Sequence, residues 1–237
     1  MAMLDKTMVL RGQTAIVTGG GSGIGRAVAL ALAREGVHVV VCGRRVEPIE
    51  RTLRELREAG GEGLAVQADV SDEADVARVV QAAVDAYGAV DILVNNAGIG
   101  GGGHVHNHSV AAWDRIMAVN LRGPFLMARA VLPLMRERGR GHIVNISSES
   151  AHNYYEGSGA YGVAKHALNA LSEYIQRENQ DFGVRVDVVS PGMVVTEMTE
   201  NSPGLDHAKC LTGEDIADLV LWLVSRRPNV KIGTPIL

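Results

Sequence analysis

The chain has 237 residues, 46% hydrophobic and 21% charged, with a formal net charge of −4; that length buries one full core or two small ones. Lys and Arg are spread along the sequence, which argues against a polybasic footprint for nucleic acid. The longest apolar run, IADLVLWLV, is about half the ~18 residues of a membrane span.

The first twelve residues, MAMLDKTMVLRG, hold no uninterrupted apolar core, so no signal peptide is expected. Cys42 and Cys210 read as free thiols of a reducing compartment rather than a disulfide pair. The expectation is a cytoplasmic protein with a small-molecule partner and no membrane or nucleic acid.

Apolar runs then alternate with helical patterns. TAIVTG (14–19) is short, β-branched and closed by Gly, which reads as a buried strand. GIGRAVALALAREG follows as a helix stopping at Gly36. VHVVVCG (37–43) is strand two, 46–61 an exposed amphipathic helix, and LAVQADV (64–70) strand three. SDEADVARVVQAAVDAYG (71–88) opens with Ser71 as N-cap and an acidic first turn. DILVNNAG (91–98) is strand four.

A long helix is expected over 109–138, strand five over 142–148, a helix over 158–182 and strand six over 184–192. A helix over 213–226 and a strand KIGTPIL close the chain. Val- and Ile-rich strands with helices between them predict an α/β fold, a doubly wound parallel sheet of about seven strands. No linker, low-complexity tract or repeat interrupts 1–237, so one domain is expected.

TGGGSGIG (18–25) falls where strand one turns into helix one. Gly there permits close backbone approach, and the helix N-terminus offers N–H groups to a phosphate. Gly19, Ser22, Gly23, Ile24 and Gly25 are therefore candidate cofactor contacts. The spacing is GxxxGxG, which points to one branch of dinucleotide-binding proteins. At the end of strand two, where an acid would hold a ribose 2′-hydroxyl, the chain reads CGRR (42–45). A carboxylate would repel a 2′-phosphate and a guanidinium would pair with it. The expected cofactor is NADP(H), with Arg44 as its main contact; two solvated loop arginines are the alternative.

Of the 23 basic residues only four are Lys, and Tyr161 is the one Tyr of five with a Lys, Lys165, at i+4. That spacing puts both on one helical face. A phenol working near neutrality needs its pKa brought down from about 10, which costs ~4 kcal/mol. One ammonium at ~4 Å in an effective dielectric near 20 supplies about that much, so a single Lys helped by an oxidised nicotinamide is expected to suffice. Asn120 carries its own signal: Pro124 follows at i+4 and leaves the Asn120 carbonyl without a helical N–H partner. A plain proline kink is the alternative.

TGGGSGIG, NNAG (95–98), Ser148, YGVAK (161–165) and PGMVVT (191–196) together resemble the short-chain dehydrogenase/reductase family in order and spacing, over about residues 13–226. The resemblance implies a single-domain Rossmann fold in which Tyr161 exchanges a proton with an alcohol or carbonyl oxygen. It implies that Ser148 bonds that oxygen, and that Lys165 binds the nicotinamide ribose and lowers the Tyr161 pKa. Asn120 would hold a water in a proton relay. Asp69 and Val70 match the pair flanking adenine, and Asn96, Ala97 and Gly98 the segment lining the cofactor. Pro191, Gly192 and Thr196 match nicotinamide-side contacts. The family usually forms dimers or tetramers through two long helices, here about 109–138 and 158–182. Ser147 rivals Ser148 for the serine role, and 95–98 also suits an ordinary turn.

His104, His106 and His108 alternate in a glycine-rich stretch; a mobile loop rather than a metal site is expected. His104, Glu149, His152, Tyr154 and Tyr155 are polar candidates near the substrate. The expected reaction is NADP(H)-dependent reduction of a carbonyl. The alternatives are a 3-oxoacyl carrier-protein reductase and a non-catalytic NADP(H)-binding regulator.

Overall fold

The computed structural model describes residues 10–199 and 206–227. Six strands form one all-parallel sheet: β1 (Thr14–Thr18), β2 (His38–Gly43), β3 (Gly63–Gln67), β4 (Ile92–Asn95), β5 (Gly141–Ile146) and β6 (Val184–Val189). Their order is β3-β2-β1-β4-β5-β6. This is the Rossmann-type arrangement expected, with six strands among the described residues rather than about seven. The strand expected at KIGTPIL (231–237) lies outside the described residues.

Seven α-helices are described: α1 (Gly23–Arg34), α2 (Val46–Glu58), α3 (Glu73–Tyr87), α4 (Val110–Met117), α5 (Gly123–Glu137), α6 (Gly159–Asn179) and α7 (Gly213–Val224). Strands whose residues point both ways into apolar surroundings need helices on both faces. On one face Ala15, Val17 and Val39 pack with Leu32 of α1, Leu56 of α2 and Ile216 and Val220 of α7. On the other, Ile16, Val40 and Leu93 meet Val79 of α3, Met127 and Val131 of α5 and Ile175 of α6.

Two local expectations are corrected. Helix α3 is capped by Asp72, whose carboxylate accepts from the Asp75 N–H at 2.9 Å. Ser71 lies one position before the cap, and its hydroxyl donates to Asp69 at 2.6 Å. The helix expected over 109–138 is broken by one π turn, Ala118–Arg122, in which the Gly123 N–H reaches back to the Ala118 carbonyl. Pro124, just beyond, has no N–H with which to continue the α ladder. That turn carries Asn120.

Candidate active site

A cleft of 610 Å³ opens at the carboxyl ends of the strands. The chain winds outward in opposite directions from β1 and β4, so their carboxyl ends diverge there, the usual ligand position in such sheets. Every catalytic and cofactor candidate from the sequence lines this cleft except Gly25, whereas the polar substrate candidates His104, Glu149, His152, Tyr154 and Tyr155 are not part of its lining. Gly25 lies behind it: a Cβ there would come 2.4 Å from both the Gly19 carbonyl and Asn96 Nδ2. Its part is to let α1 approach the turn after β4.

The turn after β1 is held from across the sheet. Thr18 Oγ1 accepts from the Asn96 and Ala97 N–H groups, both at 3.0 Å, and Asn96 Nδ2 donates to the Thr18 carbonyl at 2.9 Å. Gly19 sits at φ 63°, and a Cβ there would lie 2.9 Å from the Ala97 Cα. Ser22 caps α1 by backbone position, with no side-chain capping bond and no acid in the first turn. The leading N–H groups of α1 therefore remain available to an anion, and this tight backbone cradle fits a dinucleotide pyrophosphate.

At the end of β2 the two arginines part company. Arg45 pairs with Glu197 at 2.6 Å, across to the segment after β6. Arg44 faces the cleft and a side recess lined by Gln67, Asp69 and Arg78, and its carbonyl is fixed by Gln67 Nε2 at 3.0 Å.

Asp69 lines the cleft, but its carboxylate is already engaged. It accepts from the Ser71 N–H and hydroxyl at 2.9 and 2.6 Å, and from Arg115 at 2.9 Å. Burial works to raise its pKa; the Ser71 bonds and the Arg115 charge outweigh this and hold it at about 2. Arg122 bonds the Ser71 carbonyl and Arg129 pairs with Glu73. Arginines 115, 122 and 129, seven apart along α4, the π turn and α5, thus clamp the segment after β3. Val70 closes the wall: a Cβ on Gly123 would lie 2.8 Å from its Cγ2.

Tyr161 and Lys165 stand on the first turns of α6, facing the end of β5. Lys165 is 4% exposed and donates to the Ile146 carbonyl at 2.8 Å. Desolvation brings its pKa down to about 8. The ammonium lies 5.6 Å from the Tyr161 ring centre. Burial pushes the Tyr161 pKa up, opposed by a hydrogen bond from Ser148. The protein's own groups therefore do not lower the phenol pKa; desolvation outweighs the Ser148 bond.

Ser148 rather than Ser147 bonds Tyr161. Ser147 Oγ turns away to Asn169 Oδ1 at 2.6 Å, because successive residues at a strand end face opposite sides. The buried Asn120 acts through its side chain: Nδ2 donates to the Ile99 and Ile116 carbonyls at 2.9 and 3.1 Å, and Oδ1 accepts from the Ile99 N–H at 3.2 Å. Its Oδ1 and Lys165 Nζ both border Gly98, 2.8 and 3.8 Å from where a Cβ would stand.

Sequence reasoning missed Thr18, the Arg45–Glu197 bridge and the Arg115 clamp. The seven-residue arginine spacing was visible; its partner, 46 positions upstream, was not. Of the polar candidates, His152 has its Nε2 3.1 Å from Ser190 Oγ and 3.3 Å from Asn169 Nδ2. His104 lies 3.8 Å from Glu156, and among the described residues no three His, Cys, Asp or Glu are grouped to hold a metal. Cys42 is buried and free, its thiol pushed up to about 12 by desolvation against a hydrogen bond from the Gly19 backbone.

Comparison with known proteins follows the same lines. A family model described as short chain dehydrogenase matches residues 13–204. An uncharacterised oxidoreductase of Staphylococcus aureus (strain USA300) is 34% identical over 225 residues, covering 95% of this chain and 96% of that one. A metagenomic short-chain oxidoreductase, solved in complex with NADP, is 36% identical with a TM-score of 0.86, covering 97% of this chain and 98% of its own. An actinorhodin polyketide ketoreductase variant solved with NADPH is 32% identical with a TM-score of 0.84, covering 90% of each chain.

Proposed function

The chain belongs to the short-chain dehydrogenase/reductase family, and from that premise we propose that residues 1–237 form a single NADP(H)-dependent oxidoreductase domain. The reaction interconverts a carbonyl and a secondary alcohol, with Tyr161 as acid and base. The observation that carries this is the convergence of Ser148, Tyr161 and Lys165 in the same cleft as a phosphate cradle.

The preference for NADP(H) rests on Arg44, which is left to face the cleft while Arg45 is paired with Glu197. It is also supported by relatives solved with NADP and NADPH. A bound nicotinamide supplies or accepts the hydride. The protein's own residues manage the proton. Ser148 donates a hydrogen bond to the substrate oxygen and to the phenol in turn. Tyr161 passes its hydroxyl proton to the developing alkoxide, and the resulting phenolate is stabilised by the Lys165 ammonium in a dry pocket. Lys165 has one donor fixed on Ile146, which leaves two for a ribose and a water. Asn120 sets the Ile99 backbone beside it.

Exposed Trp113, Phe125 and Tyr174 on α4, α5 and α6 support assembly as a homodimer or tetramer through these helices. The test of the function is a spectrophotometric screen of NADPH and NADH oxidation over ketones, aldehydes and oxo-esters. NADPH-dependent turnover is expected; a protein that binds NADPH and reduces none of them contradicts the proposal.

A further inference from the structure

Three segments follow the carboxyl ends of β4, β5 and β6, beyond Ser148 and Tyr161. They are the glycine-rich stretch 98–105, the turn 149–158, and 192–199 after β6. The first two are joined by the Gly103 N–H to the Gly157 carbonyl at 2.7 Å. Val105 also lies 3.5 Å from where a Gly159 Cβ would stand. The third closes on the first, with Met198 Sδ 3.6 Å from a Cβ built on Gly100.

Large apolar side chains are left open to solvent around this rim: Val105 at 83%, Tyr154 at 91%, and Tyr155, Met193 and Met198 about half exposed. Exposed apolar groups gathered at one place mark a binding surface, and Met side chains adapt to varied apolar shapes.

The fixed charge on the same rim is negative. Glu149 directly follows Ser148; its N–H is held by the Pro191 carbonyl at 2.8 Å, and its carboxylate is bonded by the Tyr155 hydroxyl. Glu156 has only His104 near it, at 3.8 Å, among the described residues. Glu197 is compensated by Arg45. The cations of the cleft lie elsewhere: Lys165 at the catalytic floor, Arg44 and Arg45 at the far end.

Resting on the carbonyl-reductase reading, we propose that the substrate is a neutral, largely apolar carbonyl compound held against this rim. Glu149 and Glu156 select against carboxylate-bearing oxo acids and against acyl thioesters carried by an acidic protein. The apolar part of the ligand lies on Tyr155, Met193 and Met198, while its oxygen reaches Ser148 and Tyr161. An anionic ligand approaches two carboxylates that no Lys or Arg among the described residues pairs, with only the His104 imidazole near Glu156, and its capture slows accordingly.

The test uses matched ketones with NADPH: acetophenone, 4-acetylbenzoate with the same reacting carbonyl and an added carboxylate, and a 3-oxoacyl thioester on acyl carrier protein. The neutral ketone is expected to exceed both in kcat/KM by about tenfold or more. The gap should narrow as ionic strength rises, and should narrow again in a Glu149→Gln, Glu156→Gln double variant. The salt series needs only the wild-type protein, so it stands if the double variant fails to fold. Equal or better turnover of the carboxylate or the carrier-bound thioester overturns the substrate assignment and leaves the catalytic reading intact. A gap that ignores both salt and the two substitutions also overturns it. A protein that binds NADPH and reduces none of the three sinks both readings.

Discussion

Replacing Lys165 by Met tests the electrostatic state of the cleft directly. Lys165 is 4% exposed, and desolvation lowers its pKa from 10.5 to about 8. A shift of that size corresponds to about 3 kcal/mol of penalty on keeping the ammonium in the folded protein at neutral pH. The sign follows from proton counting. Between pH 8 and 10.5 the unfolded chain holds the Lys proton and the folded chain does not, so folding stability rises with pH across that window. Above it the penalty is gone. Met fills similar space and has no proton to lose, so the stability of wild type relative to Lys165→Met should climb by about 3 kcal/mol between pH 7 and 10.5. The Cys42 titration is shared by both proteins and largely cancels in the difference. The assay is equilibrium urea unfolding of both proteins without nucleotide, at half-unit pH steps, with refolding verified. A difference that stays flat, or that falls as pH rises, refutes the reasoning that the ammonium is strained by burial.

Arg44→Asp should weaken NADPH binding by about 30-fold or more, the cost of exchanging a charge-assisted pair for a repulsion, with little effect on NADH; fluorescence titration of both nucleotides reads it. Arg115→Gln should free Asp69 and loosen the wall after β3. The Asp69 carboxyl should then titrate above 2 by NMR, and KM for NADPH should rise more than kcat falls, while Arg115→Lys restores part of both. Gly25→Ala places a Cβ 2.4 Å from the Gly19 carbonyl and should cost about 1–3 kcal/mol, read as a lower Tm.

Most of the fold was legible because its signals are local. Val39 to Cys42 and Ile92 to Val94 are short β-branched runs between Gly and polar stops, and each became a parallel strand. Ends were less legible because they depend on partners far along the chain. β3 stops at Gln67 and not Val70, since Asp69 and Val70 are drawn to Ser71, Arg115 and Gly123. The cap of α3 is Asp72 rather than Ser71, a choice between neighbours made by the local contacts of Asp72 with the Asp75 N–H and of Ser71 with Asp69.

At the site, identity was legible and energetics were not. Tyr161, Lys165 and Ser148 announce themselves by type and spacing. The distance between ammonium and phenol, the burial of both, and the ion pair that occupies Arg45 are set by tertiary packing, which no spacing encodes. The protein's own groups raise the Tyr161 pKa; a one-charge balance includes attraction and leaves out desolvation.

The most direct test of the central claim is a paired measurement on Tyr161→Phe, NADPH affinity by fluorescence titration and ketone turnover on the same preparation. The account predicts affinity within about twofold of wild type and kcat/KM down by at least ~100-fold, the usual worth of a positioned acid. Turnover within tenfold of wild type at equal NADPH affinity would contradict it.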